Sequence, residues 1–307
     1  MKSLRTALVS VTALAAGLVM SGSALAQSTW NIYSASGGCT QNATNSGTFN
    51  NSWGCSGTGS AGTAVTASAW SSDRGAGANA LSGTGFASSY MSAQGNSGFG
   101  AASRTEGIGV SSPDHSFDSY NPGTMDALLL DFGATSVILD KIGIGWTNGD
   151  ADITVMRWTG PAAPTRTAGA STLVGDGEQN LTSNLYNPAT PGIAGWQLVG
   201  SYADLAADSS APFGGFARST GATQASSWWL ISTFNTALNG NSNSCLSATG
   251  TATTCDAGQD SFKLNYIATK NPTPPSGGKV PEPGSLALAG IALASVFGMR
   301  RRSAQQA

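Results

Sequence analysis

Residues 126–158 read DALLLDFGATSVILDKIGIGWTNGDADITVMRW. Asp126–Phe132 is a short apolar run with a charged residue at each flank, as strands have. Ser136–Trp146 alternates from Leu139 onward. Leu139, Lys141, Gly143 and Gly145 fall on one side, and Asp140, Ile142, Ile144 and Trp146 on the other. Ile153–Trp158 alternates again and is rich in β-branched and aromatic residues. Between these two runs stands Thr147-Asn148-Gly149-Asp150, and Asn-Gly accepts positive φ cheaply. The expectation is three strands, the last two joined as a hairpin.

Working outward, runs of the same kind recur between clusters of turn residues. They include Trp30–Tyr33, Ala64–Trp70, Trp196–Tyr202, Ser227–Phe234 and Ser261–Ile267. A short helix is expected only within Leu198–Ala207. No long stretch combines a 3.6-residue period with good helix formers. Some eight to ten strands separated by non-local gaps predict an all-β chain, an antiparallel β-sandwich of jelly-roll kind. The charge is low: 10% of residues are charged, while glycine alone numbers 41. Such a surface is solubilised by small neutral groups, which suits an extracellular β-protein.

Four cysteines fall in two local groups, Cys39 with Cys55 and Cys245 with Cys255. Neighbour pairing, one of three connectivities, would close loops of roughly 10 to 17 residues, each worth on the order of 3 kcal/mol. There is no Cys-x-x-Cys spacing to suggest zinc.

Both ends carry targeting features. Lys2 and Arg5 precede an apolar run, Ala7–Met20, and Ala24-Leu25-Ala26 before Gln27 forms an A-x-A cleavage site. Residues 1–26 therefore read as a secretory signal peptide, served by the secretion translocon and signal peptidase. Residues 27–270 form the exported domain, and 271–279 (NPTPPSGGK) a linker. The tail begins with Pro281-Glu282-Pro283. It continues as an uncharged run of 16 residues, Gly284–Met299, and ends in Arg300, Arg301 and Arg302. As a helix the run spans roughly 24 Å, a minimal membrane crossing against a hydrocarbon core of ~30 Å. The arginines hold its end in the cytoplasm.

This tail closely resembles the PEP-CTERM sorting signal of Gram-negative bacteria. All three parts stand in order within residues 280–307: the Pro-Glu-Pro, a short apolar transmembrane helix (284–299) and the basic block (300–302). The resemblance implies recognition by an exosortase, a membrane transpeptidase, with cleavage near Pro281–Pro283. It also implies transient anchoring in the inner membrane and delivery to the cell surface or an exopolysaccharide matrix. Over residues 110–270 the body looks like a group of exosortase-dependent surface proteins. That likeness rests on His115-Ser116-Phe117-Asp118, the strands at 126–158, Gly195-Trp196 and Ser227-Trp228-Trp229-Leu230-Ile231. It implies a surface protein and assigns no catalytic residue.

Chemistry in the body is sparse. Between the two targeting segments stand nine basic residues, the chain's 14 less Lys2, Arg5 and the tail arginines. Fifteen acids face them, the 16 less Glu282, for a net −6. An acidic body does not suit nucleic acid. His115 is the sole histidine, and a Ser-His-Asp triad would need it. No Gly-x-Ser-x-Gly elbow accompanies it, so a hydrolase is the weakest reading and no catalytic residue is assigned. His115 and Asp118 are instead candidate ligand contacts. Two sets could hold Ca²⁺ through oxygens on a turning loop: Asp118, Asn121 and Asp126, or Asn148, Asp150 and Asp152. Turn and capping roles also explain both, and no other cofactor is expected. Of the eight tryptophans, Trp53 and Trp70 are the candidates for an exposed sugar-stacking face. The expected function is that of a non-enzymatic surface or matrix protein processed by an exosortase. The alternative is a polysaccharide-binding module, with or without Ca²⁺.

Overall fold

The computed structural model describes residues 27–32, 38–42, 52–59, 64–73, 86–103, 106, 115–119, 124–164, 166–168, 179–181, 186–187, 190–193, 195–209, 217–236, 238–239, 242–256 and 260–272. The chain divides into two units, Met1–Pro272 and Thr273–Ala307, and all described residues belong to the first. The expected signal peptide, most of the expected linker and the sorting tail thus lie outside the described residues. Among the described residues there is no α-helix, and no helix long and apolar enough to cross a membrane. The helix expected within 198–207 is not formed. Trp196–Tyr202 is a strand that hydrogen-bonds along Ile153–Trp158, and the chain bends at Asp204 beyond it. Val199 and Gly200 are poor helix formers, and the ladder satisfies their backbone groups.

The strands form two large sheets. In the eight-stranded sheet the long final strand, Ser261–Lys270, is central. It pairs antiparallel with Gln27–Asn31, the first strand of the exported body, and with Ile138–Thr147. The twelve-stranded sheet runs in the order Ser52–Ser56, Ala64–Asp73, Thr124–Asp131, Trp228–Thr233, Ile153–Trp158 and Trp196–Tyr202, all antiparallel. Beyond these, Tyr202 pairs in parallel with Leu246.

Apolar faces of both sheets meet in one buried cluster. Trp30, Leu139, Ile142, Ile144, Leu264 and Ile267 come from the first sheet. Val65, Leu128, Leu130, Ile153, Val155, Trp229 and Ile231 come from the second. The other face of the twelve-stranded sheet is also apolar, with Trp70, Leu129, Met156, Trp158, Trp196 and Leu230 in a second cluster. This two-sided burial explains Leu128-Leu129-Leu130, where alternation breaks down. A strand covered on both faces needs apolar side chains at successive positions.

The expected hairpin is not formed. Ile138–Thr147 lies in one sheet and Ile153–Trp158 in the other. The Asn-Gly turn is present, with Gly149 at φ +84°, but it carries the chain across the core. Its backbone groups bond to the final strand: Asn148 N donates to Ser261 O at 3.2 Å and Ser261 N to Asp150 O at 2.9 Å. Leu139, Ile142 and Ile144 from the first run meet Ile153 and Val155 from the second across the shared core. A hairpin would have set them side by side. The predicted alternation of Ile138–Thr147 also shifts. A bulge between Leu139 and Lys141 turns Leu139 onto the buried side with Ile142 and Ile144.

Both neighbour disulfides are present, Cys39–Cys55 and Cys245–Cys255. Cys39 and Cys55 are directly opposed across an antiparallel strand pair.

Candidate functional site

The corner at residues 147–152 and the start of the final strand bring four carboxylates together. One oxygen from each of Asp150, Asp152, Asp256 and Asp260 lies within 4.8 Å of the others. Asp150 and Asp152 flank the sheet-to-sheet crossing. Asp260 opens the final strand and pairs with Asp150 through an isolated parallel bridge. Asp256 follows Cys255, whose disulfide to Cys245 fastens it beside Tyr202. Asp152 and Asp260 are buried, Asp150 is half-buried and Asp256 exposed.

Backbone amides orient the cluster. Asp152 accepts from Asp204 N at 2.9 Å and from Asp256 N at 3.0 Å. Asp260 accepts from Asp152 N at 2.9 Å, and Asp150 from Ala151 N at 2.7 Å. Asp204 reaches its donor position at φ +53°, a left-handed conformation that Asp tolerates. The amides do not offset burial and mutual repulsion. Desolvation, with the neighbouring carboxylates adding to it, pushes Asp152 up to about 7 and Asp260 up to about 8. Desolvation raises Asp150 as well. Several carboxylate oxygens converging on a turning loop are the donor set a hard divalent cation takes.

Of the two calcium sets read from sequence, Asp150 and Asp152 join this cluster, and Asn148 is bridged to Asp150 through the backbone. Asp256 and Asp260 were missed. They lie about a hundred residues on, and only the pairing of the final strand with the corner brings them near. Asp118 and Asp126 also come together, with Asp118 N donating to Asp126 at 3.4 Å, while Asn121 lies outside the described residues. Both aspartates are buried in a hydroxyl network. Ser71 donates to Asp126, and Ser116 Oγ donates to Asp118 at 3.4 Å and sits 2.7 Å from Ser261 Oγ. Burial first, then the charges of Asp118 and Glu106, raises Asp126 well above the usual carboxylate range.

His115 is half-buried at φ +46°, edge-on to Tyr90 at 5.9 Å. Its backbone carbonyl accepts from Ser92 Oγ at 3.2 Å. Trp70, expected at the surface, is fully buried with its indole N–H donating to Ser68 Oγ at 2.9 Å. It lies on the second apolar face of a sheet whose two-sided burial the sequence did not reveal. Trp53 is half-buried, 5.3 Å from Phe99.

The body is thus all-β, built of two sheets and fastened by two disulfides. Residues 279–302 match the family model described as the PEP-CTERM protein-sorting motif. The chain carries that motif, and the match spans Pro281, Glu282, Pro283 and Arg300 to Arg302. The motif implies export in a Gram-negative bacterium, transient membrane anchoring and an exosortase as processing partner. No curated protein and no solved structure matches the chain.

Proposed function

We infer that this is an exported, non-catalytic surface or extracellular-matrix protein. Its body is a jelly-roll-like β-sandwich, delivered outside and released at its tail by an exosortase. The sorting motif at residues 279–302 carries this reading. Two disulfides and the low charge support it, since both suit an oxidising, extracellular setting. The test is fractionation and mass spectrometry of the protein from cells with and without the exosortase. The external form is expected to end near Pro281–Pro283. An external form that keeps Arg300 to Arg302 would defeat the reading.

A second reading, a polysaccharide-binding module that uses Ca²⁺, is favoured by the four-carboxylate cluster. Asp150, Asp152, Asp256 and Asp260 would hold the ion, which would supply the positive charge that the cluster lacks. Calorimetry of chelator-treated protein should then show one Ca²⁺ bound per chain, and Asp260→Asn should remove it. A glycan array with and without EDTA reads the sugar side. No heat of Ca²⁺ binding in the wild-type protein would end this reading.

A further inference from the structure

The sequence holds two Asn-Gly dipeptides, Asn148-Gly149 and Asn239-Gly240. Such a pair is chemically labile. The backbone nitrogen that follows an asparagine can attack the asparagine's own side-chain carbonyl carbon. Glycine, having no Cβ, hinders that approach least. By sequence the two pairs are equivalent, and the fold separates them. Asn239 is only 8% exposed, and its side chain is gripped at both ends. Oδ1 accepts from Ser201 Oγ at 3.0 Å, while Nδ2 donates to Ser242 O and to Ser244 O, both at 2.8 Å. These bonds must open before the side chain can turn toward the next nitrogen.

Asn148 has no such restraint. It is exposed, and among the described residues its side-chain amide has no hydrogen-bond partner. Gly149 is exposed too, at φ +84°, with nothing within 4 Å of where a Cβ would stand. The chain is held on either side of the pair. Asn148 N donates to Ser261 O at 3.2 Å, and Ser261 N donates to Asp150 O at 2.9 Å. The peptide group between Asn148 and Gly149 lies inside that clamp, and among the described residues it makes no hydrogen bond of its own. The attacking nitrogen and the carbon it attacks are therefore both open to water.

We propose that Asn148 is a site of spontaneous modification in the folded protein, passing to aspartate and isoaspartate, and that Asn239 is shielded from the same reaction. The Gly149 nitrogen gives up its proton to solvent and bonds to Asn148 Cγ. The Cγ–Nδ2 bond breaks, Nδ2 takes up a proton and ammonia leaves, so a five-membered succinimide closes. Water then opens the ring. Breaking the new bond at Cγ leaves aspartate, and breaking the original peptide bond leaves isoaspartate. One water is consumed and one ammonia released, with no oxidant or reductant. Either product sets a carboxylate two residues from Asp150, at the corner that already carries Asp150 and Asp152. Isoaspartate also adds one carbon to the main chain inside the clamp on Ser261. The reaction depends neither on the sorting tail nor on any sugar or Ca²⁺ bound to the body.

The test is peptide mapping by mass spectrometry of the full chain, aged in neutral buffer with and without denaturing urea. Each asparagine serves as its own reference. In urea both should convert, because only the dipeptide then matters. In the native chain Asn239 should react at least about tenfold more slowly than in urea, since its bonds must open first. Asn148 should keep a rate close to its urea rate and yield both aspartate and isoaspartate. Gly149→Ala should slow Asn148 several-fold and leave Asn239 unchanged. The comparison of native and urea samples uses the wild-type chain, so it decides the matter even if that variant folds poorly. Equal protection of the two asparagines would overturn the proposal. So would a native Asn148 that stays intact over the time in which the urea sample converts.

Discussion

At the residue scale, the carboxylate cluster dominates the pH behaviour expected of the body. Asp152 and Asp260, pushed up to about 7 and about 8, contrast with roughly 3.9 for an aspartate in an unfolded chain. Between those values the folded state binds more protons than the unfolded one, so stability falls as pH rises. The favourable contribution is complete below about pH 4 and is lost as pH climbs through 7 to 8. In EDTA, thermal melts should therefore show a falling Tm from pH 5 to pH 8. Asp260→Asn keeps an acceptor for Asp152 N and removes the buried charge. It should flatten that slope and stabilise the metal-free protein at pH 8 by about 2 kcal/mol. Calcium should raise the Tm of the wild type most at high pH, where the carboxylates are ionised. A Tm in EDTA that stays level across this range would show that the cluster does not carry the proton linkage.

At the scale of elements, two glycines in one short stretch do different jobs. Gly149 sits at φ +84° with open space around its α-carbon, so only backbone conformation requires glycine there. Gly149→Ala should cost about 1 kcal/mol in urea denaturation. Gly145 lies within the strand Ile138–Thr147, where an added Cβ would strike Ser97 O and the Asn265 side chain. Asn265 is engaged there, donating to Asn96 O at 3.2 Å and to Asp208 O at 2.7 Å. Gly145→Ala must displace that network and should cost about 3 kcal/mol. Equal losses at the two positions would contradict this division. In the sequence both glycines were legible, one as a turn and one as a strand position. The close approach at Gly145 was not, because its neighbours come from distant parts of the chain.

At the scale of the whole molecule, stability rests on the contact of the two sheets. Trp229 is fully buried in the cluster they share, and its indole N–H donates to Ser226 O at 3.1 Å. Its sequence neighbour Trp228 points the other way and is half-buried. Trp229→Ala should lower unfolding free energy by about 4 kcal/mol, and Trp228→Ala by about 1 kcal/mol. Chemical denaturation of the two variants measures the ratio. The closing of the fold is equally non-local. Gln27 pairs with Lys270, so the first and last strands of the exported body lie side by side. Ser261–Lys270 then touches both the first strand and the sheet-crossing corner. The same strand delivers Asp260 to Asp150 and Asp152.

The residues alone picked out the longer strands and the sorting motif and favoured the neighbouring cysteine pairs, because each is written in local spacing; the short strands Phe86–Ser88, Tyr90–Ala93 and Phe99–Ala102 were not legible. A period of two, a short loop and a Pro-Glu-Pro followed by an apolar run and arginines need no knowledge of distant chain. Tertiary structure alone decided that Ile138–Thr147 and Ile153–Trp158 belong to different sheets. It also turned Leu139 inward at a bulge, buried Trp70 and joined Asp256 and Asp260 to the corner carboxylates. Alternation reports which side of a strand is apolar. It does not report which partner hydrogen-bonds to its edges, and that pairing is fixed by the shared core between the sheets.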